Sequence, residues 1–370
     1  MRSVGLYVHF PFCVQKCAYC DFPSFSGLEE AMPAYAQALK NEMRAWAARE
    51  DFRVETMYLG GGTPSIFPPA LMRDVLSEAR RLFSFAPEAE CTCECNPGTM
   101  GPEFLSVLRE NGVNRLSLGA QASQPRLLRA LGRIHSWPQV ADAVRLSREA
   151  GFHNLNLDLM LGLPGQTAAD AAETLAAALA LSPKHLSCYG LIVEEGTPLA
   201  ARVQAGEWAL PDEEIERAEY ELCQETLARH GFVQYEISNF ALPGYACRHN
   251  LDCWSRKEYL GVGSAACGFL GNQRYRNAPD PRAYLRGEPP EITPLSPEDA
   301  RFESVMLGLR TMRGVSEKEF ARAHGVSLQA VYGKKLEKSL ASGLVVWEDG
   351  FLRLTRRGMD LQNRVLVDLL

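Results

Sequence analysis

Gly5-Leu6-Tyr7-Val8-His9-Phe10-Pro11-Phe12-Cys13-Val14-Gln15-Lys16-Cys17-Ala18-Tyr19-Cys20 is the stretch from which the rest of the chain is read. The apolar and aromatic run Gly5 to Phe10 predicts a strand. Three cysteines, spaced by three and two residues, follow it directly. Thiolates at this spacing suit an iron-sulfur cluster, because a short loop can fold three sulfurs around one face of a cube. A four-iron cluster with three protein ligands keeps one iron open for a substrate or cofactor, the mark of a catalytic rather than a structural metal site. A zinc site short of one ligand and three metal-free core cysteines are the alternatives. The position of the triplet, in the loop where a strand-to-helix unit carries its chemistry, favours the cluster.

Working outward, short β-branched or aromatic runs alternate with Ala-, Leu- and Arg-rich stretches at helical spacing up to about Val193, the signature of repeated βα units. Six strands are predicted: Gly5 to Phe10, Val54 to Leu59, Glu90 to Asn96, Arg115 to Ala120, Asn154 to Leu161 and His185 to Leu191. Helices such as Met32 to Arg49 and Pro69 to Phe83 lie between them. Right-handed crossovers make the sheet parallel. Six units are too few for a closed eight-stranded barrel, so the expected α/β fold is an open, partial parallel barrel with its site at the carboxyl ends of the strands.

After Gly196 the pattern changes to a charged helix, Pro211 to His230, an extended piece, Phe232 to Phe240, and a Gly-rich segment from His249 to Gly271. From Ser296 onward, helices are expected near Glu298 to Thr311, Glu317 to His324 and Leu328 to Ser342, then a hairpin turning at Asp349-Gly350. This predicts three regions: a barrel over 1–195, a connecting subdomain over 196–295, and a C-terminal α+β winged-helix-like region over 296–370. Fold alone does not make the last a DNA-binding module.

Composition bounds the function. Hydrophobic residues make up 46% and charged residues 23% of 370, with 30 Gly and 22 Pro showing no short period, which excludes disordered and collagen-like classes. The net charge of -6 and the absence of Lys or Arg blocks argue against nucleic acid as a partner. No stretch is long and apolar enough to span a membrane; the alanine-rich run Ala168 to Leu181 carries Asp170 and Glu173. The N-terminus lacks the pattern of a signal peptide, and a cytoplasmic location is expected. The eleven cysteines are an odd number and about 3% of the chain, far from the ~8 to 10% of disulfide scaffolds, which points to reduced thiols with a metal task.

Tyr7-Val8-His9-Phe10-Pro11-Phe12-Cys13, the triplet, and Gly60-Gly61-Gly62-Thr63-Pro64 together resemble the radical S-adenosylmethionine superfamily. That resemblance implies a 4Fe-4S cluster on Cys13, Cys17 and Cys20 whose open iron chelates S-adenosylmethionine. The hard chemistry then belongs to the cofactor. Tyr7, Gly61, Gly62 and Thr63 fall on the cofactor-binding motifs, the glycines letting backbone approach the methionine end. Glu94-Cys95-Asn96-Pro97, Gly119-Ala120-Gln121, Arg133-Ile134-His135 and Asp158-Leu159-Met160-Leu161-Gly162-Leu163-Pro164 resemble the superfamily branch of coproporphyrinogen dehydrogenases and HemW haem chaperones. By that resemblance Glu94, Gln121, Arg133 and Asp158 contact S-adenosylmethionine, and Arg133 suits its carboxylate. Cys91, Cys93 and Cys95 do not suggest a second cluster: if Glu94 points inward, strand alternation turns all three outward under the helices.

Two readings within the branch differ in class. An oxygen-independent coproporphyrinogen III dehydrogenase would be a radical enzyme removing two carboxyl groups. The dehydrogenases carry a further cysteine where this chain has Phe22, and extend well ahead of the first strand, where this sequence has six residues before Tyr7. The haem chaperones carry a His-Asn-x-x-Tyr-Trp element, which His249-Asn250-Leu251-Asp252-Cys253-Trp254 resembles with Cys253 replacing Tyr. His249 could ligate haem iron, Trp254 could stack on the macrocycle, and Cys253 or Cys247 could supply a thiolate; a structural histidine in a loop is the alternative. The resemblance to the chaperones implies haem, S-adenosylmethionine and a 4Fe-4S cluster as ligands, and a haem-accepting protein, such as a membrane-bound respiratory enzyme, as partner. A homodimer is left open. A simple electron carrier is disfavoured, since it needs neither an open iron nor Glu94, Gln121, Arg133 and Asp158.

Overall fold

The computed structural model describes residues 1–370. Its main sheet has twelve strands. The central six are parallel: β1 (Arg2–Phe10), β2 (Phe52–Gly61), β3 (Ser84–Cys95), β4 (Arg115–Gln121), β5 (Asn154–Leu161) and β6 (His185–Gly190), each pairing with the next. All six predicted strands are present, and the α/β architecture is the expected one. Helices cross over between them, and their buried faces follow helical spacing: Met32, Tyr35, Ala36, Leu39 and Met43 on the first long helix, Met72, Val75, Leu76 and Ala79 on the next. The alanine-rich helix Ala168–Ala180 starts at a capping box in which Thr167 and Asp170 satisfy each other's backbone.

Residues 233–294 add strands to both edges of this sheet. β7 (Val233–Gln234) and β8 (Asn239–Ala241) extend it antiparallel beyond β6. β9 (Tyr259–Val262) lies parallel beside β1, followed outward by β10 (Cys267–Leu270), β11 (Gln273–Arg276) and β12 (Glu291–Pro294). The six-unit barrel is thus flanked on both sides, and the sheet remains open. Phe240, Leu260 and Val262 from this stretch, with Cys223 and Leu227 of the helix Glu213–Arg229, bury their side chains in the same core as the barrel helices.

A second, smaller sheet combines β13 (Val315–Ser316), β14 (Val345–Glu348) and β15 (Phe351–Leu354), all antiparallel, against the helices Pro297–Gly308, Glu317–His324 and Leu328–Ala341. Val305, Phe320, Leu336, Leu352 and Val365 belong to a core of its own. No helix is long and apolar enough to cross a membrane.

The barrel interior is polar. Strand alternation turns Thr56 and Tyr58, Glu90, Thr92 and Glu94, Arg115 and Ser117, Asn156 and Asp158, and His185 and Ser187 to one face. Asn156 donates to Ser117 at 2.7 Å, Ser187 at 3.0 Å and Asp158 at 2.7 Å, and its carbonyl meets His185 Nδ1 at 2.7 Å. Eight-stranded barrels ordinarily fill this space with Val, Ile and Leu. Cys91, Cys93 and Cys95 face the other way and lie buried in the apolar core.

Candidate functional site

The triplet loop is pinned from two sides at the carboxyl end of β1. On one side Gly62 N donates to Phe10 O at 2.7 Å and Thr63 N to Phe12 O at 2.8 Å. On the other, Ala18 N donates to Leu131 O at 2.9 Å. Gly61 has a φ of 111°, and a Cβ there would lie 2.5 Å from the His9 ring; a Cβ on Gly62 would lie 2.6 Å from Phe12 O. The glycine run is therefore required first by packing against β1 and the cysteine loop.

All three thiols are free. Thr63 Oγ1 reaches Cys13 Sγ at 3.5 Å, and Arg133 Nη1 donates to Cys17 Sγ at 3.4 Å while Nη2 holds Gly119 O at 2.7 Å. Arg133 Nε is buried with no partner. No three His, Cys, Asp or Glu side chains converge to the spacing of a single-ion site, whereas a cube of iron and sulfide is larger than one ion and takes thiolates set farther apart. Hydrogen-bond donors aimed at sulfur and an unpaired guanidinium nitrogen beside the loop suit an anionic, thiolate-held cluster and a carboxylate near it.

Glu94 ends β3. Its carboxylate accepts from Tyr58 OH at 2.8 Å and Gly61 N at 3.2 Å. Burial pushes its pKa up to about 7, opposed by the Tyr58 hydrogen bond and reinforced by Asp158. Asp158 takes the Ser117 hydroxyl at 3.1 Å and the Asn156 amide, and burial also raises it. Tyr7 donates to His9 Nδ1 at 3.0 Å; His9 Nε2 therefore carries the proton given to Pro23 O at 2.9 Å. Gln121 is buried at a φ of 64°, where the pairing of β4 with β5 slips by one residue. Such strain in a non-glycine residue concentrates at functional sites.

His249 lies on a short helix, Arg248–Trp254, rather than in the loop the Gly-rich sequence suggested. The local sequence gives this helix no side-chain cap; the cap comes from β3. Glu90 accepts from Arg248 N and His249 N, both at 3.1 Å, and from Cys247 Sγ at 3.4 Å. One carboxylate thus satisfies donors of the first helical turn and opposes its positive end. His249 Nδ1 pairs with Thr56 Oγ1 at 2.9 Å, and its ring stacks on Tyr58 with centroids 5.2 Å apart. Burial and nearby Arg115 lower its pKa to about 4, so the imidazole is neutral at pH 7.

A cavity of about 1000 Å³ joins these parts. Tyr7, Gly61, Glu94, His249, Cys253 and Trp254 all line it, and so do Met359 to Arg364 from the C-terminal region. The cysteine triplet, Gly62, Thr63, Gln121, Arg133 and Asp158 do not. The expectation for Cys247 changes: it is fully buried beneath the helix and donates to Glu90, which leaves no thiolate for a ligand. Cys253 reaches the cavity, its thiol pushed up to about 12 by burial and by Asp252. Trp254 is covered by the Arg310 guanidinium, 4.7 Å from the ring centre.

Glu90, Thr56 and Tyr58 are not singled out by the sequence, yet they orient His249 and Glu94, and Arg115 adds a buried positive charge beside both. Alternation from Glu94 places Glu90 on the inner face, and that was the available signal.

Residues 7–178 match the model of the radical SAM superfamily, and residues 295–361 match the HemN C-terminal domain. The heme chaperone HemW of Bacillus subtilis is 36% identical over 367 residues, covering 97% of both chains. That of Escherichia coli is 34% identical over 378 residues, covering 99% of this chain and 98% of its own. Among solved structures, coproporphyrinogen III oxidase (HemN) from Escherichia coli superposes with a TM-score of 0.87 at 22% identity, over 100% of this chain and 90% of that one, a likeness of fold. Family membership implies a 4Fe-4S cluster and S-adenosylmethionine, and the chain belongs to the HemW family of the radical S-adenosylmethionine superfamily.

Proposed function

We propose that this protein is a haem chaperone that holds haem in the cavity of about 1000 Å³ and passes it to an acceptor protein. Cys13, Cys17 and Cys20 would hold the cluster, and Tyr7, Gly61, Gly62, Thr63, Glu94, Gln121, Arg133 and Asp158 would surround S-adenosylmethionine. When bound, the cluster and S-adenosylmethionine supply one-electron chemistry. The chain's own residues bind and orient: Glu94, held by Tyr58 and Gly61, offers a carboxylate to the methionine ammonium, while Arg133 presents an unpaired nitrogen beside Cys17.

The placement of His249 carries the haem reading. A neutral imidazole, fixed through Nδ1 by Thr56, faces the cavity that Tyr7 and Glu94 also line. A second-sphere hydrogen bond to one ring nitrogen is the usual support of a metal-ligating histidine. The cavity lies at the upper end of the ~300–1000 Å³ typical of ligand sites. The acceptor would be a respiratory haem protein at a membrane, reached from the cytoplasm.

Dehydrogenation of coproporphyrinogen III is less favoured: Phe22, exposed at the cavity, stands where those enzymes carry a further cysteine. Haem titration of the reconstituted protein tests the reading. Wild type gives a Soret band that Glu94→Gln retains and His249→Ala shifts or loses; an identical band from His249→Ala would remove His249 as ligand. Multiple turnovers of coproporphyrinogen III under reducing, anaerobic conditions would replace the chaperone with the dehydrogenase.

A further inference from the structure

One corner of the cavity collects four buried polar atoms without partners: Glu236 Oε2, Asn239 Oδ1, Trp254 Nε1 and Arg310 Nε. They come from distant parts of the chain. Glu236 lies between β7 and β8 and Asn239 begins β8, Trp254 ends the helix bearing His249, and Arg310 follows the helix Pro297–Gly308 of the C-terminal region. The group is close-knit. Arg310 Nη2 is 4.0 Å from Glu236 Oε2, its guanidinium lies over Trp254, and Asn239 donates to the other Glu236 oxygen.

Buried donors and acceptors are ordinarily paired, and one left alone loses its hydration without compensation. Glu236 is fully buried, and its second oxygen accepts no hydrogen bond; the one counter-charge near it is Arg310 Nη2 at 4.0 Å. Two donors, Trp254 Nε1 and Arg310 Nε, beside the Glu236 carboxyl describe a ligand group that both accepts and shares a proton. A carboxyl group does so: it takes the Arg310 and Trp254 N–H groups and shares one proton with Glu236. Burial holds the Glu236 carboxyl above its usual range, which suits that sharing. An ammonium group would satisfy Glu236 and Asn239 but stand against Arg310.

We propose that Glu236, Asn239, Trp254 and Arg310 form a carboxyl-recognition subsite that takes a carboxylate side arm of the tetrapyrrole. The subsite rests on the haem reading above and goes beyond it by naming how the macrocycle is oriented. His249 would meet the metal, while Trp254 and Arg310, at the far end of the same helix and across the domain junction, would hold one edge. Arg310 also makes the C-terminal region part of the site.

The test is a spectroscopic titration of the cluster-loaded protein with haem and with haem dimethyl ester, in wild type, Arg310→Met and Arg310→Lys. Charge-assisted hydrogen bonds at this strength predict roughly ten- to hundredfold tighter binding of the free acid by wild type. Arg310→Met brings that ratio close to one with the Soret maximum unmoved, and Arg310→Lys recovers part of it. Equal wild-type affinities for acid and ester, or a full ratio in Arg310→Met, overturn the subsite while haem binding stands. Failure of wild type to bind either form overturns the subsite together with the haem reading. The ester comparison in wild type needs no variant, so misfolding of Arg310→Met does not shield the proposal.

Discussion

Glu90→Gln should destabilise the barrel and loosen His249, although Glu90 touches no ligand. The Glu90 carboxylate accepts Arg248 N and His249 N at 3.1 Å and the Cys247 thiol at 3.4 Å, in a position only 8% exposed. A glutamine keeps one carbonyl oxygen and turns an NH₂ toward donors, so at least one backbone N–H is left unpaired. An unsatisfied buried donor costs about 1–3 kcal/mol, and the lost charge removes a further ~1 kcal/mol from the bond that remains. Arg115, 2% exposed with its Nε unpartnered, also loses a nearby anion. The sum is about 3 kcal/mol. With a urea slope of about 3 kcal/mol per molar, the unfolding midpoint falls by about 1 M. Tryptophan fluorescence reads the transition, because Trp254 ends the helix that Glu90 caps. Haem affinity should fall with it while the iron content stays at the wild-type value. An unchanged midpoint in Glu90→Gln would refute the capping role and the positioning of His249 built on it.

Cys17→Ser should abolish the brown four-iron chromophore after anaerobic reconstitution; a full absorbance band would remove the triplet as its ligand set. Gly61→Ala should also impair reconstitution, because its Cβ meets His9 at 2.5 Å and the φ of 111° strains any side chain; wild-type iron content would contradict this. Glu94, with a pKa of about 7 against an ordinary 4.5, keeps a proton in the folded state that the unfolded chain releases. Stability of the ligand-free protein should therefore fall as pH rises from about 4.5 to about 7, and Glu94→Gln should flatten that slope in urea titrations. The same ionisation strengthens the attraction for an ammonium, so S-adenosylmethionine binding measured by calorimetry should tighten between pH 6 and 8 in wild type alone.

Much of the barrel was legible because parallel strands buried on both sides stand out between amphipathic helices: Asn154–Leu161 was read to its exact ends. Cys91, Cys93 and Cys95 fall under the helices by alternation once Glu94 is taken to point inward. The edge strands β7 to β12 were harder, since runs of two to four residues carry no periodicity and are held by neighbours distant in sequence. His249 shows the same limit. Its helix has seven residues and takes its cap from Glu90, 159 positions away, so nothing local announces it. The cysteine triplet and glycine run were readable as motifs, but the tight packing of Gly61 on His9 was not. The unpaired corner at Glu236 and Arg310 exists only in three dimensions, because the two residues meet across the domain junction.

The most direct test of the haem-chaperone account is transfer itself. Haem-loaded protein is mixed with a purified apo-acceptor, such as an apo-globin as a generic haem sink, and the Soret bands of donor and acceptor are followed in time. The account predicts that donor haem disappears as acceptor haem appears, with His249→Ala unable to load or deliver it. A protein that takes up no haem, or holds it without release to any acceptor, would contradict the account.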